Sequence, residues 1–488
     1  MKRFLRRFAI FVLLLPFLAV AVLYLPSVQQ WAVHATSRWL SQHTGYTLTV
    51  GRVSLRPPLL LQLHDLTLAH DTTPLASLSR LQTRLSPRLL LQGCASLPYV
   101  IADDLTLHTD SLLRGIRLDG TLQHLRLSGL TYRWGAPTLL LHDAYLQTPS
   151  LTITPQATTI PADTGSTPFP LTFTVGALRF QALTVNYVMP DTRLQVSAPS
   201  LQLRHLQGHI PSELTLQHLS LQKGMVLLSP TSEAPWQFTD ITLQADSLRH
   251  TPSSLQGILS RLTLSESHGL ALHEGRLTFL LTPGKVQLPQ FSFRTASSSL
   301  SGHLRTAGRH QGKWLVSGDA HASLGYPDVQ LLAARLPQLS PRAVNLYPSS
   351  PLTLSLGIEG SVDALHIEHC HIALPTAFEA TLRGQLIGSP LADSLQAHIA
   401  LSATTHDLTF LTPLLPSSLQ QRLAIPPHMQ FDAQLRYAPD TLHTRLTARL
   451  AGGSAQLEGG WRPSLHRYSL SLQADTLDIQ HRGFRCPH

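Results

Sequence analysis

Residues 366–371 read His-Ile-Glu-His-Cys-His, the densest run of metal-ligating side chains in the chain. On a regular strand His366, Glu368 and Cys370 share one face, and His369 and His371 share the other. One face then offers three ligands of types that zinc accepts, the basis for reading a metal-dependent envelope enzyme. The competing reading is a solvated polar strand face, because 26 histidines scatter through the chain and such runs arise from composition alone. Asp103 and Asp104 are adjacent carboxylates, which a strand points to opposite faces, so they suit a turn better than an acid–base pair. The sequence has no H-E-x-x-H, no G-x-S-x-G, no Walker loop and no G-x-G-x-x-G between strand and helix. The expectation is therefore a protein that is not an enzyme, with no catalytic residue, no metal and no cofactor.

The elements that would carry these residues follow from composition. Apolar residues make up 43% of the 488 and charged ones 13%, which excludes wholesale disorder. The net charge is +9, and Lys2, Arg3, Arg6 and Arg7 supply +4 of it. What remains is too dispersed for a nucleic-acid footprint, so no nucleic-acid partner is expected. Cys94, Cys370 and Cys486 are odd in number and far apart, which is not a disulfide framework.

Four of the first seven residues are basic, and Phe8 to Leu25 run without a charge. That length approaches a bilayer-spanning helix, and the basic flank holds the N-terminus in the cytoplasm. A cleaved signal peptide is the alternative, with small-x-small spacing at Ala19-Val20-Ala21. Both export the body; the uncleaved anchor gives a single-pass inner-membrane protein with its body in the periplasm. Residues 27–45 form an amphipathic helix on the apolar stripe Val28, Trp31, Ala32, Ala35, Trp39 and Leu40. Trp31 and Trp39 are candidate membrane-interface residues. The same stripe could instead cap the first sheet.

From Thr47 onward leucines alternate with polar residues, as half-buried strands require. Between Leu63 and Leu66 the parity changes, which places a bulge or turn at His64–Asp65. The repeated strands nominate Leu66, Leu68, Leu105, Leu107, Leu125 and Leu127, then Leu219, Leu221, Ile241, Leu243, Leu262 and Leu264. These form either the core of a closed sandwich or the lining of one open apolar concavity. Residues 149–170, rich in proline and threonine, read as a linker or long loop, and 336–351 as a Pro-rich break. The span 405–427 carries a candidate short helix, and the strand repeats have no fixed period.

The N-terminal hundred residues resemble the AsmA-like superfamily, in particular the TamB-like proteins of Gram-negative envelopes. The likeness lies in an order of parts: the anchor, then LPSVQQWAVHATSRWLSQHTGYTLTVGRVSL (25–55), LLLQLHDLTLAHDTTPLASLSRLQTRLS (59–86) and LLLQG (89–93). The resemblance implies a mainly β body shaped as an elongated antiparallel groove, related in design to bridge-like lipid transfer proteins. In that frame residues 1–7 are a cytoplasmic tail, 8–25 the anchor and 46–148 the N-terminal β region. Residues 171–335 and 352–480 are groove segments, and 481–488 are a polar tail. The implied partners are the inner membrane, phospholipid and an outer-membrane assembly protein; the implied role is phospholipid transport or outer-membrane assembly. TamB-like proteins are usually longer, so the expectation is a short member or a truncated product. The alternative is an envelope scaffold or adhesin-like β-sandwich without lipid.

Overall fold

A computed structural model describes residues 24–475, except for 45, 58, 71–72, 85–93, 110–115, 134–136, 156–170, 211, 232–234, 311–312, 336–349, 362, 389–394, 409–411, 413–427, 451–452 and 466. The expected anchor over 8–25 thus falls almost wholly outside the described residues. Among the described residues no helix is long and apolar enough to cross a membrane. The fold is mainly β, as the alternation requires. The chain divides into two units, Met1–Pro252 and Ser253–His488.

The first unit opens with helix α1 (Pro26–Thr44). Its strands are β1 (Tyr46–Arg56), β2 (Leu60–His70), β3 (Thr73–Arg84), β4 (Cys94–Thr109), β5 (Ile116–Arg133), β6 (Thr138–Gln147), β7 (Ser150–Pro155), β8 (Leu171–Val188), β9 (Thr192–Ile210), β10 (Glu213–Pro230) and β11 (Trp236–Thr251). Successive strands pair antiparallel, with one exception. β6 and β7 lie end to end: both pair antiparallel with β5, and both pair parallel with β8. They are one strand interrupted at Thr148–Pro149, where Thr148 takes a φ of 48° and proline lacks a ladder donor. Parallel strands need a return connection rather than a hairpin, and residues 156–170 join β7 to β8. The stretch expected as a linker from 149 to 170 therefore begins as a strand. Its Pro-rich composition hid that strand, which is only six residues long.

α1 lies along the outer edge of β1. Leu55 N donates to Gln29 Oε1 at 3.1 Å, and Gln29 Nε2 donates to Leu55 O at 3.5 Å. The Ser37 hydroxyl donates to Leu48 O. One side chain thus closes both backbone groups of an edge residue, as a neighbouring strand would. Trp31 is 67% exposed; the Trp39 side chain lies outside the described residues.

The second unit is an antiparallel meander throughout. Its elements are β12 (Ser254–Glu266), β13 (Ala271–Thr282), β14 (Lys285–Arg294), β15 (Ser299–His310), β16 (Lys313–Leu324), α2 (Tyr326–Arg335), β17 (Leu352–Ser361), β18 (Ala364–Leu374), β19 (Phe378–Ile387), β20 (Gln396–Thr405), β21 (Gln430–Ala438), β22 (Thr441–Leu450), β23 (Gly453–Arg462) and β24 (Arg467–Asp475). The stretch expected as a groove segment over 171–335 ends in α2. This helix is a ten-residue excursion between two strands that remain paired, Leu324 opposite Leu352. Its start is pinned by Asp328, 6% exposed, which accepts from the Thr295 hydroxyl, while Gly325 N donates to Ser298 Oγ at 3.0 Å. Burial pushes the Asp328 carboxyl up. Hydrogen bonds from Ser298, Thr295 and Ser297 outweigh it and hold the group below the ordinary carboxylate value.

Deep burial is scarce. Among the described residues no large side chain falls below 2% exposure; the best buried residues of the first unit are small, Ala144 at 1% and Ala198 at 2%. Leucines of a packed sandwich core would be nearly fully covered. Here they are mostly half-buried.

Candidate functional site: an apolar face of registered rungs

Directly opposite residues on paired strands share a face, so the register traces rungs across each unit. One rung of the first unit begins Val53–Leu63–Leu81–Ala102–Leu125 across β1 to β5. It continues Leu146–Phe180–Leu201–Leu221–Leu243 across β6, β8, β9, β10 and β11. Every residue is apolar. The adjacent rung on the other face contains Gln62, Gln82, Arg126, Arg179, Gln202 and Gln244. That rung also holds Ile101 and Tyr145, so it is mainly polar where the first is wholly apolar.

The second unit repeats this design. Leu259–Leu277–Phe291–Gly302–Ala320–Leu356 crosses β12 to β17. Cys370–Leu382–Leu401–Ala433–Leu446–Leu457–Leu472 carries the rung from β18 to β24.

Ten of the twelve nominated residues lie on rungs traced through three or more strands, and Ile241 and Leu264 lie in single registered pairs. Leu66 and Leu105 flank Leu78, and Leu105 also faces Leu122. Leu68 and Leu107 flank Ala76. Leu127 pairs with Val100 and Ala144, and Leu219 with Leu203 and Ala245. Leu125, Leu221 and Leu243 lie on the first rung described. Ile241 pairs with Gly224, Leu262 with Gly275 and Leu264 with Leu272. The nominations omitted partners of equal standing, such as Leu81, Leu146, Phe180 and Leu201. Their signal was a leucine or phenylalanine at matching phase in neighbouring strands.

The parity change has its origin in the backbone. A line of unpaired positions crosses the first unit at one level: Asp65, Ser79, Asp104, Gln123, Thr148, Ala182, Pro199 and Lys223. Register is unchanged on either side of it across β1 to β9. Asp65 (φ 54°), Asp104 (φ 56°), Thr148 (φ 48°), Ala182 (φ 55°) and Lys223 (φ 54°) are left-handed. Pro199 fits at this level because an unpaired position asks for no ladder donor, which proline lacks. One left-handed residue shifts the inward phase of its strand by one, so apolar residues three apart face the same side. A second line runs through Gly129, His142, Gly176, His205, Gln217 and Ser247. Gly129, His205 and Ser247 are left-handed there. Gly176 has no alternative, since a Cβ would come within 2.5 Å of His142 O.

These lines correct two expectations. Asp104 is not in a turn but in the middle of β4, and Asp103 Oδ1 lies 2.7 Å from His124 Nδ1 across the strands. Likewise, His366, Glu368 and Cys370 do not share a face. A register shift between Ile367 and Cys370 leaves Glu368 as an extra residue, so Cys370 is buried opposite Leu356 and Leu382 while His366 is exposed. Burial pushes the Cys370 thiol up. His369 instead reaches across Gly357 toward Asp319, with Nε2 at 3.8 Å from Oδ1; His303 Nε2 lies 3.4 Å from the other oxygen. Among the described residues no group of three or more His, Cys, Asp or Glu could hold a metal ion.

Two concavities of about 520 and 450 Å³ lie over polar rungs of the second unit. Arg445 lines both, and its Nε donates to Glu458 at 2.7 Å, so its charge is balanced. Both are lined mainly by polar residues, with Leu401 and Ala433 also at the second. No family model matches the chain, and no curated protein matches it.

Proposed function

We propose that the apolar rungs form a groove for phospholipid acyl chains, in an inner-membrane-anchored protein whose body lies in the periplasm. The groove would serve phospholipid transport to the outer membrane or outer-membrane assembly. What supports this reading is an apolar rung traced across the strands within each unit, on a face whose leucines are mostly half-buried. Such a face is an aggregation hazard unless an apolar guest covers it. Acyl chains suit it because they need no hydrogen bonds. Each buried methylene contributes about 0.8 kcal/mol. The uncharged run Phe8 to Leu25 behind a basic flank supports the anchored location.

The test is to express the full chain in a bacterial host, purify it in detergent, extract it with organic solvent and identify phospholipid by mass spectrometry. A reproducible load is expected. It should fall several-fold when Leu105, Leu125 and Leu221 are changed to Asp, and persist when Gln62, Gln82 and Gln202 on the opposite face are changed to Glu. A folded chain without lipid would instead support the scaffold reading.

A further inference from the structure

The strand ends where the chain enters the first unit carry a basic surface. Leu25, the last residue of the uncharged run, accepts from Val28 N at 3.0 Å and Gln29 N at 3.1 Å, so α1 starts directly behind that run. Gln29 then binds Leu55, and Ser37 binds Leu48 farther back along β1. α1 thus runs antiparallel to β1, and the uncharged run ends near the outermost polar rung of β1 to β3, Arg56–Leu60–Arg84. Two rungs farther in stand Arg52, His64 and Arg80, with Ser54, Gln62 and Gln82 between. These three rungs hold four arginines, all exposed, and no carboxylate. Two strand spacings, about 10 Å, separate Arg52 from Arg80 and Arg56 from Arg84. That is the scale of the screening length, so their fields add.

Local acids do not neutralise the group. Arg80 donates to Gln82 Oε1 at 3.0 Å rather than to Asp103 opposite it, and Asp103 Oδ1 lies 2.7 Å from His124 Nδ1. Among the described residues Arg52, Arg56 and Arg84 have no acidic partner. Asp65 and Asp104 lie on the line of unpaired positions, beyond the Arg52 rung and away from the chain entry. Residues 85–93, outside the described residues, add Arg88 and no carboxylate. Elsewhere in the first unit arginines stand against carboxylates, Arg179 Nη2 at 3.3 Å from Asp143 and Arg249 Nε at 2.7 Å from Glu213. Large apolar side chains are exposed at the same entry, Leu25 at 52% and Trp31 at 67%. Tryptophan and basic side chains at the end of an apolar run are what a membrane–water interface selects.

We propose that this basic face of β1 to β3 docks on the anionic phospholipid headgroups of the membrane that holds the N-terminal run. Two attachments, the run and the basic face, then fix the orientation of the first strands against the bilayer. The inference rests on the anchored location proposed above and is independent of what the apolar rungs bind.

The test reconstitutes the full chain in vesicles of phosphatidylcholine, alone or mixed with phosphatidylglycerol. A fluorophore on Gln62→Cys, at the centre of the basic face, reports energy transfer to headgroup-labelled lipid, in a background of Cys94→Ser, Cys370→Ala and Cys486→Ser. Transfer is expected to be higher with phosphatidylglycerol and to fall to the phosphatidylcholine level at high salt. Arg52→Gln, Arg56→Gln and Arg84→Gln should each lower the ratio of docked to undocked chain about fivefold. Arg179→Gln, the same charge change beside Asp143, should leave it unaltered. These side chains are exposed, so folding should be unaffected, and circular dichroism checks this. Flotation with phosphatidylcholine vesicles at high salt reads the anchor by itself. A chain that floats there, with transfer indifferent to phosphatidylglycerol, salt and the three arginines, keeps the anchor and overturns the docking surface. A chain that sinks there but floats with phosphatidylglycerol at low salt, through those arginines, loses the anchor and supports the docking surface. A chain that floats with neither overturns both.

Discussion

Leu63 and Leu66 stand three positions apart on β2 and face the same side, because Asp65 between them adopts a left-handed backbone with φ 54°. Leu63 pairs with Val53 and Leu81, while Leu66 pairs with Val50 and Leu78, so the neighbours make the same three-residue step. The strain is tolerable for aspartate, whose short polar side chain suits this region, and severe for a β-branched residue. Asp65→Val should therefore lower stability by about 1–2 kcal/mol, whereas Asp65→Gly should leave it unchanged or raise it. Urea unfolding of the purified chain distinguishes the two. An equal effect of both substitutions would mean that the left-handed backbone does not matter there.

Gln29→Ala removes the side chain that closes both backbone groups of Leu55. Loss of these part-exposed bonds should cost about 1 kcal/mol. The larger effect is expected in behaviour, since an opened β1 edge invites pairing between molecules. Light scattering during incubation at a temperature below unfolding should show faster aggregation than wild type. Gln29→Glu keeps the acceptor for Leu55 N but loses the donor, and should be intermediate.

Asp328 gives a pH dependence with a defined sign. Its folded carboxyl titrates below the ordinary value of 3.8. Its contribution is thus fully present above that value and is lost as pH falls through the lower folded value. Asp328→Asn should destabilise the second unit at neutral pH by about 1–3 kcal/mol, the range for a buried charged hydrogen-bond acceptor. It should also flatten the decline in stability below pH 3.8. Unfolding curves recorded at several pH values would show parallel wild-type and variant declines if Asp328 had no part in it.

The β character was legible because leucine alternates with Thr, Ser, Gln and His, and that alternation needs no tertiary knowledge. The break at Leu63–Leu66 was visible as a phase change, but its nature was not. Nothing local separates Asp65 in a turn from Asp65 as a left-handed residue inside a continuous strand. Only its neighbours, with Ser79 and Asp104 at the same level, decide it. For the same reason Asp104 read as a turn residue, and Glu368 read as sharing a face with Cys370. α2 escaped notice because a helix of only ten residues, Tyr326–Arg335, sits just ahead of a Pro-rich segment. The rungs themselves were seen as separate leucine pairs. Their continuity across strands depends on register, which one strand does not encode alone.

Phase breaks that lie at one level across β2 to β10 make growth of this architecture modular. A whole hairpin duplicated into the first unit would bring its own two break positions and extend every rung without disturbing the others. A single residue inserted within one strand would throw that strand out of step with both neighbours and turn its leucines to water. Chains of this design can therefore differ freely in strand number while strand interiors resist insertion, and length becomes the property easiest for evolution to adjust.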